Sequence, residues 1–371
     1  MRSCLACVNA RCTAEFPISE VHYICPACGG LLEVRYEGAV TEPWTLKQIW
    51  RERRMSNHPL DQSGVWRYRE MLPFLEDALH LVTLREGNTP ILDGLAAARY
   101  AGVDRIQFKH QGFNPTGSFR DNGMAAGVSQ AVRLGMKRAV CVSTGDTGVS
   151  MAAYAALAGL EPIILTSREN AVLGKLGQAL DYGAKILQVE ASLDEILVLA
   201  PVLAERLGLF SIHSENPFCV EGQKSTVIEM MDQLDWEVPD WMVVPGGHRG
   251  CLNAFEKGTR EMFQLGLIDK LPQFAAIPTS GVDGVTEHEI ADAKAVIGQC
   301  GISCDSASAT TLAGVKKLVA AGTIRPCDQI VAVLTGNVFG GQHGGLMQGE
   351  FEHPPVVAPN DVDAIGKLLR V

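Results

Sequence analysis

From Ile106 to Leu334 the chain keeps returning to short apolar runs, and the segments between them carry helical spacing. The runs are Ile106 to Lys109, Ala139 to Ser143, Pro162 to Thr166, Lys185 to Val189, Trp241 to Pro245, Gln273 to Ile277 and Gln329 to Leu334. Helical patterns fall between them, as in Arg120 to Leu134, Gly148 to Ala158, Gly174 to Tyr182 and Leu193 to Leu207. Strands that alternate with helices of this length predict parallel, doubly wound α/β sheets. With 371 residues there is room for two such domains and a sizeable core. Trp44 to Tyr100 reads as helical and aromatic, and Leu346 to Asn360, rich in Pro and Gly, reads as an irregular tail before a last short helix.

Charge narrows the functional classes. A formal net charge of −10 with no basic block argues against a general nucleic-acid binder. The most apolar stretch, Val149 to Leu165, is interrupted by Gly159, Glu161 and Pro162, so it reads as a buried helix and strand rather than a membrane span. The start, Met1-Arg2-Ser3-Cys4, lacks the apolar core of a secretion signal. Eleven cysteines without such a signal point to a reducing compartment, with the cytoplasm as the expected location.

Four of those cysteines form two C-x2-C pairs, Cys4 with Cys7 and Cys25 with Cys28, the second followed by Gly29-Gly30. Paired in this way they predict a tetrathiolate zinc ribbon, in preference to a redox dithiol. Such a site is structural, because four thiolates leave no open position for substrate. Cys12, between the pairs, is expected to be a bystander.

Val243 to Gly250 is an apolar strand running into a glycine-rich turn and then a helical pattern. That sequence aims free backbone amides and a helix N-terminus at one spot, which suits an anion. Asn114 to Met124, containing Pro115-Thr116-Gly117-Ser118-Phe119-Arg120-Asp121, is a second strand-to-helix turn. Together with Leu84 to Ile91 (an E-G-N-T-P turn), Ser143-Thr144-Gly145-Asp146-Thr147, Asn216 to Lys224 and Leu334-Thr335-Gly336-Asn337, these segments resemble, in order, the motifs of threonine synthases. Those are pyridoxal phosphate (PLP) enzymes of fold type II. The resemblance implies two doubly wound domains of the tryptophan synthase β-like architecture behind the zinc-ribbon-like module of residues 1–38. It implies a larger domain at 39–114 and 208–371, a smaller one inserted at 115–207, a site in the cleft between them, and a homodimer. By resemblance, Gly247, His248, Arg249, Gly250 and Cys251 would cradle the PLP phosphate, and Thr335 would approach the pyridine nitrogen.

The departures from the family concentrate in the cleft. Ser118-Phe119-Arg120-Asp121 stands where the family reads S-F-K-D, with the Schiff-base lysine third. A lysine amine can lose its proton and attack an aldehyde, whereas guanidinium stays charged and forms no ordinary imine. Asp146 replaces the Asn that meets the PLP phenolate oxygen, Cys219 replaces an Arg for the substrate phosphate, and His213 replaces an Asn. The scaffold glycines Gly117, Gly145 and Gly247 remain. These changes together describe a rebuilt site, in which Arg120 and Asp146 are expected to form an ion pair.

In that reading the cleft takes a small anionic ligand without a PLP Schiff base. Arg120, Asp146 and His248 are the candidate catalytic residues, and Ser118, Thr147, Ser214 and Arg249 the candidate anion contacts. Neither Lys109 nor Lys224 looks placed to replace the missing lysine. Two alternatives stand beside it: an active PLP-dependent threonine synthase converting O-phosphohomoserine to threonine and phosphate, and a non-catalytic homologue with a binding or regulatory role.

Overall fold

A computed structural model of the protein describes residues 2–38, 41–75, 77–168, 173–213, 215–247, 249–279, 284–337 and 356–369. Strands are β1 (Arg2–Cys7), β2 (Glu15–Pro17), β3 (Leu32–Glu37), β4 (Ile91–Asp93), β5 (Ile106–His110), β6 (Arg138–Val142), β7 (Glu161–Ser167), β8 (Lys185–Val189), β9 (Phe210–Ser211), β10 (Trp241–Pro245), β11 (Gln273–Ile277), β12 (Ile330–Leu334) and β13 (Val356–Ala358). Helices are α1 (Pro43–Arg53), α2 (Pro59–Gln62), α3 (Leu95–Ala101), α4 (Arg120–Arg133), α5 (Asp146–Leu157), α6 (Leu173–Asp181), α7 (Leu193–Leu207), α8 (Pro217–Gln233), α9 (Arg249–Gln264), α10 (Glu287–Gln299), α11 (Ser306–Ala320) and α12 (Val362–Leu368).

Two five-stranded sheets dominate, in the orders β11-β10-β12-β5-β4 and β13-β8-β7-β6-β9. All pairings are parallel except the edge pair β4–β5. Side-chain alternation explains how the sheets share the interior. Met242 and Val244 of β10, Val331 and Val333 of β12, and Ala139 and Cys141 of β6 all enter one common core. Their neighbours Trp241, Val243, Ile330 and Ala332 point the other way, into a second core under α3, α10 and α11. Val140, Ile163, Leu165 and Leu187 do the same in the second sheet, under α7 and α12. Successive strand residues face opposite sides, so one apolar run serves two helix layers.

The sheet boundary differs from the division expected at residue 208. Phe210–Ser211 pairs with β6 and Val356–Ala358 pairs with β8, so both belong to the sheet of the smaller domain. The tail read as irregular therefore contributes an edge strand, and α12 packs against α7 behind it. Its preceding residues, 338–355, lie outside the described residues. Among the described residues no helix is long and apolar enough to cross a membrane.

Residues 2–38 form a three-stranded antiparallel sheet, β2-β1-β3, that sits on both domains. Tyr23 donates to the Leu209 carbonyl at 3.0 Å, Gln130 Nε2 to the Ile18 carbonyl at 2.7 Å, and Lys257 Nζ to the Val34 carbonyl at 2.6 Å. Tyr36 also donates to the buried Glu221 carboxylate, between Lys224 and Lys257.

Candidate functional site

The site lies where β5, β6, β10 and β12 end, beyond the carboxyl edges of the strands, as the topology of open α/β sheets dictates. Its wall begins with the turn between β5 and α4. Gly117 has φ +88°, and a Cβ there would come within 2.6 Å of Asn337 Nδ2, so glycine is needed for both conformation and space. Phe119 N donates to Thr335 O at 2.8 Å, and Asn337 N to Gly117 O at 3.0 Å. The buried Ser118 pairs with Gly336 in an isolated bridge, and its Oγ accepts from Arg120 N at 3.3 Å. Thr335 is buried, with its Oγ1 3.3 Å from Ser308 Oγ.

Arg120 opens α4, which crosses α8 at backbone contact. A Cβ on Gly222 would fall 2.1 Å from Asn122 O, and one on Gly127 would fall 2.7 Å from Cys219 Sγ. That crossing fixes where the guanidinium can reach. It stacks 4.3 Å from the Phe119 ring centroid, and its Nη1 is enclosed with no hydrogen-bond partner among the described residues. Burial pushes the Arg120 pKa down, while Cys251, Asp146 and Cys219 within electrostatic range oppose the shift. The Cys251 and Cys219 thiols are in turn pushed up to about 12 by burial, with Arg120 opposing. Both are therefore neutral packing thiols near neutral pH.

The expected Arg120–Asp146 ion pair is absent. Asp146, at the start of α5, instead lies 2.6 Å from Lys175 Nζ of α6. The lysine stem runs over Gly145, where a Cβ would come within 2.9 Å of its Cδ. Ser143 Oγ shapes this loop by accepting from Gly145 N at 3.1 Å and Gly148 N at 2.9 Å. Lys175 was not singled out from the sequence, and nothing local marks it. Thr147 follows Asp146 on α5 and is half-buried. Asp146 and Lys175 line a cavity of about 200 Å³ with Asn114, Thr116, Gly117 and Asn337.

The neighbouring acid, Asp121, is fully buried. It accepts from Thr116 N at 2.7 Å, Thr116 Oγ1 at 2.5 Å and Ser150 Oγ at 2.5 Å, tying the turn to α5. Burial nevertheless raises its pKa to about 7, against those hydrogen bonds. Burial pushes His213 down to about 4.

Gly246 and Gly247 form the turn between β10 and α9. A Cβ on Gly246 would meet Ile277 O at 2.7 Å, whereas one on Gly247 would have no neighbour within 4 Å. Gly250 is buried in the first turn of α9. His248 and Ser214 lie outside the described residues, as does the Arg249 side chain. Lys109 and Lys224 are sealed elsewhere: Lys109 pairs with Glu229, and Lys224 with Glu221 and Glu261. Neither reaches the cleft.

The cysteine cluster corrects the expected ligand set. The sulfurs of Cys7, Cys12, Cys25 and Cys28 lie within 4.8 Å of one another and could hold a metal ion; Cys4 is not among them. Arg2–Cys7 is one continuous strand, and strand residues three apart face opposite sides, so Cys4 and Cys7 cannot form one knuckle. The turn that brings the second sulfur into the cluster follows β1 instead, with Cys12 N donating to Asn9 O at 2.8 Å. Asn9, a turn former inside Cys7-x4-Cys12, was the available signal. On the other side Gly29 has φ +71°, and its N donates to Cys25 O at 2.8 Å. The Gly30 amide and the neighbouring thiols hold Cys28 down to about 7.

Comparison with known proteins agrees with this geometry. The family described as "Pyridoxal-phosphate dependent enzyme" matches residues 82–285. The chain therefore belongs to the pyridoxal-phosphate dependent enzymes, and within them to the threonine synthase family. Threonine synthase of Methanocaldococcus jannaschii is 32% identical, with 97% of this chain and 98% of that one covered. The Methanosarcina acetivorans threonine synthase is also 32% identical, covering 98% of each. Among solved structures, maize serine racemase superposes with a TM-score of 0.54 at 19% identity, over 68% of this chain and 88% of that one. O-ureido-L-serine synthase gives 0.57 at 18% identity, over 71% and 95%.

Tested against PLP, position 120 does not fit an imine-linked cofactor, because a guanidinium stands where the family keeps its Schiff-base lysine. Lys109 and Lys224 are committed to carboxylates, and Lys175, the lysine at the cavity wall, is paired with Asp146.

Proposed function

We propose that the cleft binds a small anionic ligand, an amino acid or a phosphorylated amino acid, without a Schiff base to PLP. The observation that carries this is the enclosed, unpartnered Nη1 of Arg120. An enclosed donor of a charged group left without a hydrogen bond is costly, and a ligand anion would supply the missing acceptor. Arg120 has Cys251 of α9 within electrostatic range, and a helix N-terminus behind a glycine turn favours the same sign of ligand. A guanidinium also offers paired donors to carboxylate or phosphate oxygens.

The family's PLP-dependent threonine synthesis is the competing reading, favoured by similarity over nearly the whole chain. Absorbance separates the two. Purified protein incubated with PLP is expected to show no imine band and to carry no adduct by intact mass after borohydride. A borohydride-sensitive band with a lysine-linked adduct would establish the family reaction instead.

We also propose that the cysteine cluster holds structural zinc. Tetrahedral Zn–S bonds of about 2.3 Å place sulfurs roughly 3.8 Å apart. Cys7 and Cys28 sulfurs are 3.5 Å apart, and those of Cys12 and Cys25 are 3.8 Å apart. Metal analysis should find one zinc per chain, lost in Cys12→Ser and kept in Cys4→Ser. The reverse pattern would restore the two C-x2-C pairs as the ligand set.

A further inference from the structure

A second cavity, of about 360 Å³, lies at the seam between the N-terminal sheet and α9, and it shares no lining residue with the cleft cavity. Lys257, Arg260, Glu261, Gln264 and Leu265 recur at helical spacing, so α9 turns one face toward it. Glu33 and Arg35, two residues apart on one side of β3, form a second wall. Met71 and Pro73 close the space and, with Leu265, give it an apolar surface. Its volume falls within the roughly 300–1,000 Å³ of pockets that hold small molecules.

The charges around this cavity pair off within the chain, with one exception. Arg35 Nε lies 3.1 Å from Glu33, and Arg53 pairs with Glu70 of the cavity wall. Lys257 Nζ lies 3.0 Å from Glu261 and 3.2 Å from Glu221, and Lys224 joins the same two carboxylates. Four cations thus meet four carboxylates. Arg260 is exposed, and among the described residues its side chain makes no ion pair or hydrogen bond. The cavity therefore carries one positive charge in excess.

We propose that this cavity is a second ligand site, for a small organic monoanion whose carboxylate pairs with Arg260 and whose apolar body covers Met71, Pro73 and Leu265. The site does not depend on what the cleft binds. The planar guanidinium fork matches the two oxygens of a carboxylate. Glu33, Glu70 and Glu261 stand in the same walls and oppose a second negative charge, which excludes phosphate and dicarboxylates. A ligand here touches β3 and α9 at once, the two elements already joined by Lys257 Nζ and the Val34 carbonyl. Its binding therefore also stabilises the docking of the N-terminal sheet.

The test is calorimetry on the full-length protein with three probes. They are 3-phenylpropanoate, 3-phenylpropan-1-ol, which keeps the body and lacks the charge, and propanoate, which keeps the charge and lacks the body. The first is expected to bind at least ~10-fold more tightly than either of the others. Arg260→Met, a change at an exposed position, should remove its preference over the alcohol, and Arg120→Met should leave that preference intact. Equal binding of 3-phenylpropanoate and either other probe to the wild type would overturn the site, as would a preference that survives Arg260→Met. Loss of the preference in Arg120→Met instead would move the ligand to the cleft and overturn the site as well. No saturable binding of 3-phenylpropanoate up to ~10 mM would do the same. The wild-type comparison needs no variant to fold.

Discussion

Lys109 and Arg120 are cations eleven residues apart on either side of one turn, the first buried and the second half-buried with its Nη1 enclosed, and they are solvated in opposite ways. Lys109 Nζ has three acceptors: the Glu229 carboxylate, Thr89 O at 2.7 Å and Gln233 Oε1 at 2.8 Å. An ammonium has three donors, so its valence is filled. Arg120 has five side-chain donors, and among the described residues its guanidinium makes no hydrogen bond, only a stack on Phe119. Lys224, at the foot of the N-terminal sheet, is likewise paired, with two carboxylates, Glu221 and Glu261. Scaffold charges thus find their partners within the chain, whereas among the described residues the Arg120 guanidinium has no hydrogen-bond partner. That difference separates a cation that holds the fold together from one held ready for something outside it.

The comparison breaks most sharply at Glu229. Glu229→Gln leaves Lys109 as an uncompensated buried charge and should cost about 3–5 kcal/mol in urea unfolding. A loss below about 1 kcal/mol would mean that the saturated pair is not structural.

The pH dependence sharpens the contrast next, because two buried groups titrate with opposite signs. His213 is pushed down to about 4, so its stabilisation is full above about pH 6.5 and is lost as pH falls through 4, up to about 3 kcal/mol. Asp121 is raised to about 7, so the stability linked to its proton is full below about pH 4 and is lost as pH rises through 7. The two slopes offset each other between pH 4 and 7. His213→Asn should therefore leave a protein that weakens as pH rises across this window, and Asp121→Asn one that weakens as pH falls. Chemical denaturation at four or five pH values reads the slopes; unchanged slopes in both variants would remove these groups from the account.

The smallest effect is expected at Arg120 itself. With no ligand present, Arg120→Met should stabilise the protein by about 1–2 kcal/mol, since a half-buried cation with an enclosed, unpartnered nitrogen is replaced by packing atoms. Destabilisation of similar size would show that the guanidinium already has partners in the folded chain.

The two-domain fold was legible because strand–helix alternation is a long, repeated signal that no single residue controls. The three-residue strand Val356–Ala358 was not, since it follows a Pro- and Gly-rich run and pairs with β8, more than 160 residues earlier. In the cysteine module a cluster of four thiols was readable and its membership was not. Cys4 fits a spacing rule, but pairing with both β2 and β3 keeps residues 2–7 extended and hands its place to Cys12. In the cleft, the loss of lysine at position 120 could be read from one motif. The partner of Asp146 could not, because Lys175 arrives from a separate helix and its access depends on the bare Cα of Gly145.

The central claim is that the Arg120 guanidinium is an anion receptor. Calorimetric titration of inorganic phosphate into wild-type protein and Arg120→Met tests it most directly. Saturable binding to the wild type and at least ~10-fold weaker binding to the variant are expected, a difference of about 1.4 kcal/mol. Equal affinity in the two proteins, or no binding to the wild type, would contradict it.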